Sequence, residues 1–159
     1  MMFAEVINEL KPAIYDWAQK LISLDDELIS TRRNSQNRSI RQIVGHMVDS
    51  ASNNTHRAVH LQYRKSPLEF PNYATYGNND RWIAIQNYQD EDWQELVQLW
   101  KFTHLHFLHV ISVIDPQKLK KQWIADKNVS VTLEEMVLDF PRHFQLHLSE
   151  INQLINITL

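Results

Sequence analysis

Only two of the 159 residues are glycine, and only five are proline. These residues form most of the tight turns in proteins, and an all-β fold needs many such turns. The chain therefore favours a few long elements, and it is long enough to bury a substantial core. With 43% hydrophobic and 22% charged residues, it has the composition of one globular domain, which we expect to span residues 1–159.

Four segments show the periodicity of amphipathic helices. Apolar residues recur at helical spacing over residues 3–22, although Pro12 predicts a kink or a restart within this segment. The same spacing predicts helices over residues 40–63, 90–114 and 133–157, and Asp115-Pro116 ends the third of the four. A short helix or turn is expected over residues 24–29.

Two pairs of residues predict where helices begin. Ser39 with Gln42, and Thr132 with Glu135, have capping-box spacing, in which each side chain bonds the backbone N–H of the other residue. The acidic residues 90–92 suit the positive end of the dipole of the third helix. These signals support the starts of helices two, three and four.

The connections between the helices differ in length. Residues 64–89 form the longest irregular segment, and connections longer than ~12–15 residues often act as lids or binding loops. Residues 116–131 form a second connection, in which residues 129–131 are too short to count as a strand. We therefore predict an all-α fold, a four-helix bundle with a long loop between helices two and three.

The charge balance and the missing residue types exclude several functions. The net charge is −3, with 16 Lys and Arg against 19 Asp and Glu, so no nucleic-acid partner is expected. Without cysteine, the chain has no disulfide, no thiolate metal site and no cysteine nucleophile. No segment approaches the ~20 apolar residues that span a bilayer, and a signal-peptide pattern is missing. We expect a cytoplasmic protein with no membrane partner.

The eight histidines carry the strongest functional signal, and their spacing ranks them. His143 and His147 are four residues apart, so they project from one face of the fourth helix and can chelate one divalent metal. Their neighbours are largely apolar, which predicts a buried pair that needs polar partners. His56 and His60 have the same spacing, but their polar neighbours favour a solvated face.

His46 and the histidines of the third helix are harder to rank. His46 lies in an apolar stretch beside Gly45, and a glycine inside a helix predicts close approach of another backbone. Taken by itself, His46 is better explained as a core histidine bonded to a carbonyl. His104 shares a face with apolar residues and is expected to line the bundle interior, whereas solvent exposure is expected for His106 and His109.

Three carboxylates are candidates to orient a metal-bound imidazole through its second nitrogen. Asp139 lies four residues before the histidine pair of the fourth helix, and Glu150 lies three residues after it. Asp49, three residues after His46, is the third candidate. The alternative for Asp139 and Glu150 is an ordinary surface pair with Arg142 or with a neighbouring helix.

Two segments resemble the DinB/YfiT-like superfamily of four-helix bundles. They are residues 39–49 (SIRQIVGHMVD) and residues 139–151 (DFPRHFQLHLSEI). Between them lie shorter matches to the loop and third-helix entry of one branch of the family: residues 69–73 (EFPNY), Arg81-Trp82, residues 86–88 (QNY) and Trp93. The resemblance covers nearly the whole chain, with the segments in the family's order.

The resemblance implies a divalent metal, commonly zinc or nickel, held by one histidine of the second helix and a His-x3-His pair of the fourth. Matched residue by residue, the ligands are His46, His143 and His147, and Pro141 kinks the helix just before the pair. Three imidazoles leave one coordination position open for water or a thiol, as in catalytic zinc sites.

The resemblance also implies an activity on a small molecule. Family members include thiol transferases, which use a low-molecular-weight thiol as cosubstrate, and metal-dependent hydrolases. The alternative is a non-catalytic metal-binding or stress-related bundle. A DNA-associated damage-response role is a third reading, which the net charge of −3 disfavours. By the same analogy, the chain forms a homodimer through exposed faces of the bundle.

The long loop is expected to overhang the metal. Its polar side chains would then face a substrate, the candidates being Tyr73, Tyr76, Asn78, Asn79 and Arg81. An ordinary exposed connection explains these residues equally well. Three tryptophans are expected to pack in the core or at the end of the bundle rather than to bind a ligand: Trp82, Trp93 and Trp100.

Overall fold

Four long helices form a bundle in a computed structural model that describes residues 2–157. They are α1 (Ala4–Ile22), α3 (Ile40–Tyr63), α5 (Trp93–Ser112) and α6 (Leu133–Ile155), and the shorter helices are α2 (Asp26–Thr31) and α4 (Asn78–Gln86). Helices α1 and α3 each pack against both α5 and α6, so the four form a closed square. The bundle predicted from the periodicity is therefore confirmed.

Local chemistry explains where the helices begin. Both predicted capping boxes form, with the N–H of Gln42 donating to Ser39 and that of Glu135 donating to Thr132, and with the reciprocal bonds also present. Helix α1 runs through Pro12 without interruption, so the predicted restart there is wrong. Its apolar face is buried on both sides of the proline, and this packing compensates for the missing backbone hydrogen bond.

The apolar faces of the long helices share one core. Its largest fully buried side chains include Trp100, Phe107 and Phe144, and the rings of Trp100 and Phe144 stack with centroids 5.8 Å apart. Trp93 is also buried and donates from Nε1 to the carbonyl of Leu21. The packing role predicted for these two tryptophans is what the structure shows. Within residues 2–157, no helix is long and apolar enough to cross a membrane.

A small three-stranded sheet packs against α3 and α6. Its strands are β1 (Leu68–Glu69), β2 (Gln122–Asp126) and β3 (Val129–Thr132), with β2 parallel to β1 and antiparallel to β3. The sequence analysis predicted no strand in these connections, and that prediction is wrong. The strands are short, and the turn between β2 and β3 contains no glycine that would signal a hairpin. In that turn Asn128 adopts the left-handed conformation (φ 60°) that glycine usually provides.

The long loop also contains a helix that was not predicted. Helix α4 begins after Gly77, which has a positive φ of 74°. Ile83 is the one buried residue of this helix, so its sequence shows little apolar periodicity. The segment after α4 returns Tyr88 to the bundle. A Cβ atom on Gly45 would lie 2.1 Å from the Tyr88 ring, so the close approach predicted at Gly45 comes from a side chain and not from a backbone.

Candidate metal centre

Three histidines from two neighbouring helices lie close together. His46 lies on α3, and His143 and His147 lie one turn apart on α6. One ring nitrogen from each residue lies within 4.8 Å of the others. His46 and His147 are buried, and His143 is half-buried and lines a cavity. The structure thus brings together the three residues that the sequence analysis proposed as ligands.

The spacing of these nitrogens fits a metal ion. The Nε2 atoms of His143 and His147 are 3.1 Å apart. A tetrahedral zinc ion with Zn–N bonds of ~2.0–2.1 Å places two nitrogen ligands about 3.3 Å apart. The widest separation in the cluster, up to 4.8 Å, closes to that value by about 1.5 Å of relative movement.

Each imidazole is held through its other nitrogen. Tyr73 Oη lies 2.8 Å from Nδ1 of His46, and Glu150 Oε2 lies 2.8 Å from Nδ1 of His147. Ser50 Oγ lies 3.4 Å from Nδ1 of His143. Because every Nδ1 faces an oxygen, each can carry the proton and donate it, which leaves each Nε2 lone pair for a metal.

The Tyr73 hydroxyl is consistent with this proton arrangement. Its oxygen lies 3.2 Å from the backbone carbonyl of His46, to which the hydroxyl can donate while it accepts the Nδ1 proton of the same residue. Tyr73 is only 4% exposed. A residue expected to face substrate therefore also contacts a histidine of the cluster.

Burial keeps two imidazoles of the cluster uncharged, those of His46 and His143. Desolvation lowers the pKa of His46 far below its usual value, and the neighbouring His147 and Arg38 lower it further. Desolvation, followed by His147, lowers the pKa of His143 to about 4. Both imidazoles are therefore neutral at pH 7, the form in which histidine binds metals.

Of the three predicted orienting carboxylates, Glu150 alone contacts an imidazole among the described residues. Asp139 pairs with Arg142 at 2.6 and 2.8 Å, which lowers the pKa of Asp139, so the surface-pair alternative applies to it. Asp49 accepts hydrogen bonds from Tyr88 at 2.6 Å and Gln86 at 2.8 Å. Both predictions were wrong in partner, because the hydrogen bonds of Asp139 come from Arg142 and those of Asp49 come from Tyr88 and Gln86.

The Asp49 carboxylate is nevertheless unusual. It is 2% exposed, and its Oδ2 has no hydrogen-bond partner within residues 2–157. Desolvation raises its pKa to about 6, although the hydrogen bonds from Tyr88 and Gln86 act in the opposite direction. An acid with this pKa changes its charge just below neutral pH.

The other histidines do not join the cluster. His56 is exposed and His60 is half-buried, with Nδ1 2.6 Å from the hydroxyl of Tyr63. His104 is 1% exposed and its Nδ1 lies 2.6 Å from the carbonyl of Trp100, so it lies in the bundle interior as predicted. Two further histidines on α5 are exposed, also as predicted: His106 and His109.

A cavity of about 540 Å³ opens beside the cluster and includes His46 and His143 in its wall. Of the loop residues predicted to face a substrate, Tyr73 and Asn79 line this cavity. Tyr76 is 73% exposed and donates to Asp126 on β2.

The two remaining loop candidates point elsewhere. Arg81 is exposed and donates from Nη1 to Asn78, and neither residue lines the cavity. Trp82 is 40% exposed and contacts the Tyr73 ring edge-on, with centroids 5.1 Å apart, so it packs only in part.

Arg57 and Trp123 are among the cavity residues that the sequence analysis missed. Arg57 continues a stripe on one face of α3 that also contains His46, Ser50 and Asn54, at spacings of four, four and three residues. This spacing was a usable signal. Trp123 could not be found in this way, because it reaches the cavity from the unpredicted strand β2.

The comparisons with known proteins agree with this architecture. The sequence profile of the DinB superfamily matches residues 1–151. Among solved structures, the chain is similar to YfiT from Bacillus subtilis, with a TM-score of 0.74 and 20% identity, and the match covers 94% of this chain and 82% of that one. YfiT is described as a probable metal-dependent hydrolase with an unusual four-helix bundle topology. No curated protein is significantly similar to the chain. The chain belongs to the DinB superfamily.

Proposed function

We propose that this protein is a metal-dependent enzyme that hydrolyses a small molecule, with a divalent ion held by His46, His143 and His147. The observation that carries the proposal is the pairing of every Nδ1 with an oxygen, which leaves three Nε2 atoms as ligands. Imidazole-only sites suit zinc and nickel, and we propose one of these two metals. A bound divalent ion supplies Lewis acidity at its open coordination position.

The chain's own residues prepare this site in three ways. Glu150 and Tyr73 fix the orientation of two imidazoles, which limits the rearrangement needed on metal binding. The side chains of Met136 and Phe140 line the adjacent cavity and give its wall apolar surface. The cavity volume of about 540 Å³ lies within the range of small-molecule sites.

Hydrolysis is preferred because the fold matches that of YfiT, which is described as a probable metal-dependent hydrolase. Transfer to a low-molecular-weight thiol would use the same open coordination position, so both reactions belong in the assay. A non-catalytic metal-binding role is the outcome if neither reaction occurs. The three possibilities share the metal site and differ in turnover.

The first experiment measures metal content. The protein is purified without chelator and analysed by elemental analysis, alongside the variants His143→Ala and His147→Ala. The matched control carries His56→Ala and His60→Ala, a pair with the same spacing outside the cluster. We expect about one metal per chain in the wild type and control, and a large loss in the site variants. Unchanged metal content in both site variants would refute the proposed ligands.

The second experiment measures turnover with the metal restored. A panel of ester and amide substrates tests hydrolysis, and a panel of electrophiles with added thiols tests transfer. We expect hydrolysis that a chelator abolishes and that His147→Ala lacks. Thiol-dependent turnover without hydrolysis would replace the hydrolase assignment, and a metal-loaded protein inactive in both panels would support the non-catalytic alternative.

A further inference from the structure

Arg57 is a buried cation in the wall of the cavity beside the histidines. Its side chain is 6% exposed, and its guanidinium carbon lies 4.0 Å from the centroid of the Trp123 ring. Arginine is rarely this buried unless it is paired with an acid. A guanidinium that stacks on an aromatic face uses its plane and leaves the N–H donors at its edge for hydrogen bonds.

The guanidinium lacks the partner that its burial calls for. Within the described part of the chain, no carboxylate lies within salt-bridge distance of Arg57, and the group makes one hydrogen bond, from Nη1 to Asn54 Oδ1 at 3.0 Å. Its Nε is buried without an acceptor. Desolvation lowers the pKa of Arg57 only to about 10, so the group stays charged at pH 7. A buried, unpaired charge is costly.

The carboxylates that line the cavity do not compensate this charge. Asp139 is paired with Arg142. Glu135 is exposed and accepts from the backbone and hydroxyl of Thr132 in the capping box. A second unpaired donor, Nε1 of Trp123, is buried in the same wall. The wall therefore contains two donor side chains that are short of acceptors.

The geometry of α3 relates Arg57 to the histidine cluster. His46 and Arg57 lie on one helix face, eleven positions apart, which is about 16 Å along the axis at ~1.5 Å per residue. Both residues line one cavity, whose walls also include Met136 and Phe140. A molecule that spans the cavity would contact a cation at one end and the metal ligands at the other.

We propose that Arg57, backed by Trp123, is a subsite for the carboxylate of an organic acid with an apolar body. A carboxylate matches the edge of one guanidinium, which donates two parallel hydrogen bonds. A guanidinium also pairs with a phosphate, but among the described residues Arg57 is the one Lys or Arg side chain in the cavity lining. The second charge of a phosphate dianion would therefore have no cation, and a carboxylate is the better match. The inference rests on the proposed function in that it specifies the substrate class of the same cavity.

The test uses metal-free protein, so that carboxylate binding is measured separately from the metal. Isothermal titration calorimetry compares phenylacetate with its neutral analogue phenylacetamide and with phenyl phosphate. The variants are Arg57→Gln, Arg57→Lys and the control Arg64→Gln, which removes the same charge from an exposed position at the end of α3. Circular dichroism melting checks that each variant is folded.

We expect phenylacetate to bind at millimolar or lower concentration, and the amide to bind at least about tenfold more weakly. Arg57→Gln should weaken phenylacetate binding by about tenfold to a hundredfold, and Arg57→Lys by less, because lysine keeps the charge without the paired donors. Arg64→Gln should bind as the wild type does. If Arg57→Gln fails to fold, the weaker binding of Arg57→Lys carries the test.

Three results would overturn the subsite. They are no binding of phenylacetate, equal binding of the acid and the amide, and tighter binding of phenyl phosphate than of phenylacetate. The metal content of Arg57→Gln and phenylacetate binding by His147→Ala separate the two proposals. Loss of the subsite should leave metal content unchanged, and loss of the metal site should leave phenylacetate binding unchanged.

Discussion

Tyr73→Phe tests the proposed metal site through a residue that does not bind the metal. The substitution removes one oxygen, the one 2.8 Å from Nδ1 of His46 and 3.2 Å from the carbonyl of the same residue. The phenylalanine ring fills nearly the same space, so packing against Trp82 is retained. The remaining difference is the hydrogen bond that holds the imidazole.

The structure sets the size of the effect. A metal bound through Nε2 keeps the proton of His46 on Nδ1, where it needs an acceptor. Without the Tyr73 oxygen, this buried donor is unsatisfied, at a cost of ~1–3 kcal/mol. In the metal-free protein the ring can change tautomer or turn, so most of that cost falls on the metal-bound state. Metal affinity should therefore decrease by about tenfold to a hundredfold.

The assay is competition for zinc against a chromophoric chelator, and the matched control is Tyr76→Phe. Tyr76 is in the same loop and also donates a hydrogen bond, at 2.7 Å to Asp126. It is 73% exposed, however, and does not line the cavity. The control should keep wild-type affinity. Equal affinity in Tyr73→Phe and Tyr76→Phe would show that the Tyr73 hydroxyl does not support a metal ligand.

Three further predictions concern stability. Gly45→Ala should lower the free energy of unfolding, measured by chemical denaturation, by about 1–3 kcal/mol, because the new methyl group overlaps the Tyr88 ring. In a Tyr88→Ala background, the same substitution should leave the free energy of unfolding unchanged or raise it. The raised pKa of Asp49 means that the fold favours the protonated acid. The contribution of this protonated acid to the free energy of unfolding is therefore complete below pH 3.8 and is lost as pH rises through about 6. This loss is about 3 kcal/mol, and Asp49→Asn should flatten the stability curve of the metal-free protein between those pH values; an unchanged slope would contradict the assignment. A chelator should lower the melting temperature of the wild type and leave that of His147→Ala unchanged, since a bound metal stabilises only the folded form.

The long helices were predictable because their signals are local. Each capping box joins two residues three positions apart, Ser39 with Gln42 and Thr132 with Glu135. The apolar spacing of the long helices repeats over five turns or more. The sheet was not predictable in this way. Strand β1 has two residues, and its parallel partner β2 is more than fifty residues away, so no local pattern relates them.

The histidine cluster was partly predictable for the same reason. The i,i+4 spacing of His143 and His147 is local, whereas the choice of His46 depended on family resemblance. The contact between Tyr73 and His46 crosses 27 positions of sequence and forms only when the loop folds over α3. Asp139 shows the opposite error, because a favourable spacing to His143 is outweighed by the closer guanidinium of Arg142.

The hairpin of β2 and β3 divides the construction of the cavity between two kinds of element. The bundle helices contribute all three histidines, whereas the hairpin contributes Trp123 and Val131 to the cavity wall and turns at the exposed Asn128. Changes in the hairpin can therefore reshape the ligand space without moving the histidines. In an engineering programme, a library of hairpin sequences on an unchanged bundle would diversify selectivity while metal retention stays constant.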